Sequence, residues 1–153
     1  MSRTYSLADY RPVADGIVDD TPALQRCFAA AARGGTITIP PGDYFVIGSS
    51  SVPVSSGTTV FAHGARFHLP PTLSGQARLV LFAGLDVTDF AWHGGTFIGH
   101  CFDHRRPPNR WAPNANTRMI AIGTSRGGRT ANLLFRDIHA KRVAGAVVTV
   151  EGC

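Results

Sequence analysis

Charge is scarce in this chain, and negative charge most of all. Charged residues make up 16% of 153 positions, with 10 acids against 15 lysines and arginines. So little charge beside 44% hydrophobic residues excludes a disordered chain, which needs the reverse balance. Cysteine is nearly absent: Cys27, Cys101 and Cys153 lie far apart, with no Cys-x-x-Cys among them. That excludes a disulfide framework and a zinc knuckle, and leaves free buried thiols as the expectation. No apolar run approaches the ~20 residues of a membrane-spanning helix, so no membrane partner is expected. The opening MSRTYSLADYRP lacks the apolar core of a secretory leader. The compartment stays open.

What the chain has is turns. Gly 17 and Pro 10 punctuate it often, which suits short strands of an all-β fold better than a helix bundle. Its length fits a single domain, 1–153, large enough to bury a core without staples. The net charge of +5 favours anionic partners: nucleic acid, an anionic membrane surface or an acidic polysaccharide. The basic residues form no helix face and no sheet motif interleaved with aromatics, so nucleic acid is not the expected partner.

One helix is expected, over 21–33. Thr21 reads as its N-cap and Pro22 as its first position, where a missing N–H does no harm. Leu24, Cys27, Phe28 and Ala31 fall on one apolar stripe, and Gly34–Gly35 ends it. Strands are expected at 36–40, 44–47, 58–62, 65–69, 79–83, 96–98, 119–122, 132–135 and 146–150. They repeat. Ile37, Ile39, Gly42 and Tyr44 match Val60, Ala62, Ala65 and Phe67 at an offset of 23. Phe90, Trp92, Gly95 and Phe97 match that second set at an offset of 30. A fourth copy starts at Leu133 and Phe135 and then decays. The motif is apolar–x–apolar–x–x–small–x–aromatic. Copies at such spacings predict a solenoid, in which each coil buries an inward row against the next.

The stretch ADGIVDDTPALQRCFAAAARGGTITIPPGDYFV, residues 14–46, resembles the N-terminal signature of right-handed parallel β-helix proteins of the pectate-lyase superfamily. The matching pieces are Asp-Gly-x-x-Asp-Asp-Thr at Asp15–Thr21, the helix with Gln25, and GGTITIPPGDY at 34–44. FAWHGGTFIGH (90–100) and NLLFRDIHAKRVAGAVVTVEGC (132–153) are similar to later coils. The likeness is greatest to family 28 glycoside hydrolases, the polygalacturonases. It implies an all-β fold, a right-handed parallel β-helix with a short N-terminal capping α-helix. The cap would be 1–35 and the early coils 36–153, and the chain would be the front portion of a longer protein. It implies that Asp19, Asp20 and Thr21 serve the cap, the two acids at the positive end of the helix dipole.

The family's chemistry is not evident. Hydrolysis of a glycosidic bond needs two carboxyls flanking it. Asn116-Thr117-Arg118 has arginine where the family motif has aspartate, and Gly99-His100-Cys101 lacks the second glycine of Gly-His-Gly. No Asp-Pro-His-Glu of the epimerases occurs. Asp86, Asp89, Asp103 and Asp137 are isolated, and Asp89 and Asp137 fall at coil corners. No catalytic residue, metal ligand set or cofactor is assigned; His100, Cys101 and His104 match no zinc framework.

The polar stretch HCFDHRRPPNRWAPNANTR, 100–118, interrupts the coils. Trp111 flanked by Arg105, Arg106 and Arg110 could stack on a sugar and grip its carboxylate. It could equally be a solvated loop with Trp111 packed on the coil wall. The functional expectation is a polysaccharide partner, acidic in character, for a polygalacturonase-like protein whose catalytic acids lie beyond residue 153. A polyuronate lyase or epimerase, and a non-catalytic phage tailspike or glycan-binding module, stand as alternatives. An open C-terminal end would offer a face to a second copy.

Overall fold

The chain winds through three sheets, and each turn after the first adds one strand to each. The structure, a computed structural model, describes residues 3–46, 50–70, 79–100, 117–143 and 145–152. The first sheet stacks β1 (Thr4–Ser6), β3 (Gly35–Thr38), β6 (Thr58–Phe61), β9 (Thr88–His93) and β12 (Ala131–Arg136). The second stacks β2 (Asp15–Asp19), β4 (Gly42–Phe45), β7 (Ala65–His68), β10 (Thr96–Ile98) and β13 (His139–Lys141). The third stacks β5 (Val52–Pro53), β8 (Leu79–Leu85), β11 (Thr117–Gly123) and β14 (Gly145–Glu151). Pairing within each sheet is parallel. This is the right-handed parallel β-helix, a solenoid whose successive turns share one interior.

Each sheet sends one continuous row inward. Ile37, Val60, Trp92 and Phe135 are register partners in the first sheet. Tyr44, Phe67 and Phe97 are partners in the second, and their rings stack at 5.9 and 5.0 Å between centres. Val52, Phe82, Ile120 and Val148 form the third row. Such a ladder is stable because each ring lands on the ring one strand spacing below it, and offset stacking adds about 0.5–1.5 kcal/mol per pair beyond burial. Burial of the Tyr44 ring pushes its phenol up to about 12, and its hydroxyl donates to the Pro40 carbonyl at 2.8 Å.

In the first turn, α1 (Thr21–Ala30) occupies the side that later turns give to the third sheet, and it packs against β5. Leu24, Cys27, Phe28 and Ala31 are all buried. The helix plugs the front of the apolar interior, as its stripe requires. Burial pushes the Cys27 thiol up to about 12, so it is an inert core group.

Two details of the helix differ from the sequence expectation. It ends at Ala30, three residues early, and a turn follows, with the Gly34 N–H donating to Ala31 O. Thr21 is the first helical residue and not the N-cap. Asp20 holds the cap position with helix-like angles (φ −91°, ψ 0°), from which its side chain makes no capping bond. Its carboxylate turns back to accept the Val13 N–H at 2.7 Å and the Ala14 N–H at 3.1 Å. Asp19 serves the helix start instead, its Oδ1 accepting the Thr21 N–H at 3.0 Å and the Thr21 hydroxyl at 2.5 Å.

The repeat spacing also needs one correction. The offset of 23 is the true register, with Ile37 beside Val60 and Tyr44 beside Phe67. The offset of 30 holds in the second sheet, Phe67 beside Phe97. In the first sheet Val60 lies beside Trp92, not Phe90, an offset of 32. The corner from β9 to β10 is therefore two residues shorter than the one from β6 to β7. A slip of two residues preserves which side chains point inward, so the composition pattern conceals it. The small residue before the aromatic has a steric reason. A Cβ on Gly95 (φ +93°) would lie 3.1 Å from the Phe67 ring.

Candidate functional site

The rows that point outward carry whatever this scaffold presents to a partner. On the first sheet, Ser6, Thr38, Phe61, His93 and Arg136 are successive register partners and form a ladder across all five strands. Phe61 is 41% exposed, and its ring stacks on His93 at 4.9 Å with 17° between planes. Beside it runs a second row, Thr4, Thr36, Thr59, Ala91 and Leu134. Its first four members are small, so a shelf lies along the raised aromatic–imidazole–guanidinium strip. Parallel strands sit ~4.8 Å apart, so the ladder is an evenly spaced row of contacts along the solenoid axis. The strip ends in Arg136 and carries no carboxylate of its own. At its corner His63 lies 3.7 Å from Asp137.

The second sheet presents a cluster. Asp43 Oδ1 accepts from Arg66 Nε at 2.6 Å, Asp43 Oδ2 pairs with Arg66 Nη2, and His68 Nε2 lies 2.7 Å from Oδ1. The bonds from Arg66 and then His68 hold the Asp43 carboxyl well below the usual range. Gly16 leaves room for this cluster, since a Cβ there would sit 3.3 Å from Asp43 Cβ.

Whether this part of the chain can cleave a sugar linkage turns on its carboxyls. Asp86 is engaged by the Ser125 hydroxyl and N–H, which lower its pKa. Asp89 accepts from Asn132 at 2.8 Å, and Glu151 pairs with Arg118. Asp15 accepts the Ile17 and Val18 N–H groups. Burial pushes Asp20 up, the direction a general acid needs, but it is 2% exposed and bonded to two backbone donors. Asp15, Asp20, Asp86, Asp89 and Glu151 are thus each held by a neighbouring donor, and Asp15 and Asp43 are register partners on adjacent strands. Among the described residues, no group of three His, Cys, Asp or Glu side chains comes together to hold a metal ion.

Asp19, Asp20 and Thr21 meet at the helix start. Trp111, Arg105, Arg106 and Arg110 lie outside the described residues. Asp89 and Asp137 stand at corners with positive φ, 56° and 57°. The outward strip itself was not anticipated. Its signal is one step out of phase with the core motif: Phe61, His93 and Arg136 each follow an inward residue, Val60, Trp92 and Phe135.

No family model matches the chain. A curated relative, the plasmin and fibronectin-binding protein A of Streptococcus pneumoniae (strain ATCC BAA-255 / R6), is 27% identical over 160 residues, covering 92% of this chain and 22% of that protein. The crystal structure of PfbA, a surface adhesin of Streptococcus pneumoniae, matches with a TM-score of 0.66 at 22% identity, over 97% of this chain and 38% of that one. An iota-carrageenase complexed with iota-carrageenan fragments matches with a TM-score of 0.65 at 21% identity, over 92% of this chain and 29% of that one. The chain thus spans about a fifth of the length of the curated relative. The solved structures establish the β-helix fold.

Proposed function

We propose that this chain is the front of a longer β-helix protein that binds an acidic polysaccharide along its first sheet. One observation carries this reading: an exposed aromatic, an imidazole and a guanidinium stand in register on adjacent strands, beside a shelf of small residues, with no carboxylate in the row. A sugar ring can lie on Phe61 while Arg136 and His93 face its acidic groups. Similarity to an iota-carrageenase complexed with iota-carrageenan fragments supports a polysaccharide partner.

Polygalacturonase-type hydrolysis remains the finer proposal for the whole protein, with aspartates on later coils supplying the acid and the base. Leu133, Phe135, Val147 and Val148 of the last described turn are only partly buried, and further coils would stack there. A second reading, binding without turnover, draws support from the engaged carboxyls. The test is electrophoresis of residues 1–153 through gels containing polygalacturonate, alginate or iota-carrageenan, with parallel assays for reducing ends. Retardation that falls with rising salt and is lost in Phe61→Ala supports the proposal. Unretarded migration in all three gels sinks it. Reducing-sugar release by this chain alone would show that the engaged carboxyls had been misjudged.

A further inference from the structure

At the front of the solenoid, where the capping helix ends beside the first sheet, there is an open cleft of about 600 Å³. It is lined by Arg3, Tyr5, the helix-end alanines 29, 30 and 32, Arg33, and the backbone of Gly34, Gly35 and Gly57. The volume falls within the roughly 300–1,000 Å³ of small-molecule sites. The glycines set its walls. A Cβ on Gly35 would collide with Arg3 O at 2.5 Å and press on the Tyr5 ring at 3.1 Å, and one on Gly34 would lie 2.9 Å from Gly57 O. The strands therefore close up at their backbones, and among the described residues no side chain stands at these glycine positions.

The chemistry of the lining is one-sided. Among the described residues it has two guanidinium groups, one phenol ring, three methyl groups and no carboxylate. Arg3 and Arg33 are both exposed, so the two cations are open to solvent at the rim. The cleft lies where the helix ends, with Cys27 O and Phe28 O accepting the Ala31 N–H, Ala29 O the Ala32 N–H, and Ala31 O the Gly34 N–H. The cleft adjoins the outward shelf, since Arg3 precedes Thr4 and its carbonyl accepts the Thr36 N–H at 2.8 Å. Thr4 and Thr36 are the first two members of the small row.

We infer that this cleft is an anionic sugar subsite, in which Arg3 and Arg33 grip the carboxylate or sulfate of a terminal unit while the Tyr5 ring lies against the sugar. The assignment rests on the polysaccharide reading above and extends it to a second, end-on point of attachment. A neutral unit would leave both guanidiniums without partners, so the cleft selects for charge.

The experiment is calorimetric titration of the full chain with three oligosaccharides: trigalacturonate, a sulfated carrageenan oligomer and uncharged galactotriose. Arg33→Ala and Arg3→Ala are each expected to weaken binding of a charged oligomer about tenfold, the scale of one lost charge-assisted contact. Ala32→Glu, an exposed position that would place a carboxylate in the cleft, is expected to abolish binding without touching the core. Preference for trigalacturonate or for the sulfated oligomer identifies the anion. Equal affinity for galactotriose overturns the anionic assignment. Oligosaccharide binding that survives all three variants but is lost in Phe61→Ala overturns the cleft and leaves the strip standing. No binding of any oligomer, with polymer retardation intact, overturns the cleft alone, and absence of both removes the polysaccharide reading as well.

Discussion

Phe28, on the capping helix, lies 6.2 Å from Trp92, ring centre to ring centre, with 29° between the planes. Trp92 belongs to β9, on the fourth turn of the solenoid. Phe28 also lies 5.4 Å from Phe82, on the third turn. Repeat proteins usually couple each turn only to its neighbours. Here the plug reaches across turns, so the front coils and the cap share one core.

Removal of the plug is therefore expected to be felt by the whole solenoid. Phe28→Ala should destabilise by about 3–5 kcal/mol, as other buried Phe truncations do. Urea unfolding followed by tryptophan fluorescence and by far-ultraviolet circular dichroism should shift together. A shift in the helix signal alone, with the fluorescence midpoint unchanged, would show the cap to be an independent unit.

Asp20 is a latch more than a cap. Asp20→Ala strips the acceptors from the Val13 and Ala14 N–H groups and should cost about 1–3 kcal/mol. Asp20→Asn keeps one acceptor oxygen and should cost less. Chemical denaturation of the two variants checks the order.

Asp20 and Asp43 give stability opposite dependences on pH. The Asp43 pKa is depressed by Arg66 and His68, so its contribution is present above its ordinary value of 3.8 and lost as pH falls below it. The Asp20 pKa is raised by burial, so its protonated form favours folding below 3.8, and that benefit disappears as pH climbs through its folded value. Asp43→Asn should flatten the loss of stability in acid, by about 0.5–1 kcal/mol after solvent screening. Asp20→Asn should steepen it. Thermal melts from pH 2.5 to 7 read both slopes.

The strip proposed for polysaccharide binding predicts a division between affinity and its salt dependence. Phe61→Ala should weaken retention by an acidic polysaccharide about tenfold at every salt concentration. Arg136→Gln should weaken it at low salt and converge on the wild type near 0.5 M, where the screening length is about 4 Å. Retention curves at several ionic strengths test the pair, and parallel curves for both variants would contradict it.

Much of the architecture could be read before any coordinates. The helix stripe at Leu24, Cys27, Phe28 and Ala31 and the pairing of Ile37 with Val60 are both inward-facing patterns, and burial imposes those strongly. What escaped carries no such signature. β13 (His139–Lys141) is exposed throughout, β5 is only Val52–Pro53, and β2 has an irregular register between Asp15 and Asp19. These strands exist because the turns above or below supply their hydrogen bonds, not because their own residues demand extension. The strip at Phe61, His93 and Arg136 was missed for a related reason. A row whose members share only an outward direction leaves no apolar periodicity to find.

The shortened corner between β9 and β10 has a practical corollary. Position in this molecule is counted in rungs, not in residues: Val60 and Trp92 are equivalent although 32 apart, while Phe67 and Phe97 are equivalent at 30. Insertions and deletions can gather at bends without disturbing any face, so a bend can lengthen into a loop at small energetic expense. Grafts and chimaeras built on this scaffold should be spliced bend to bend, with ladder partners as the ruler.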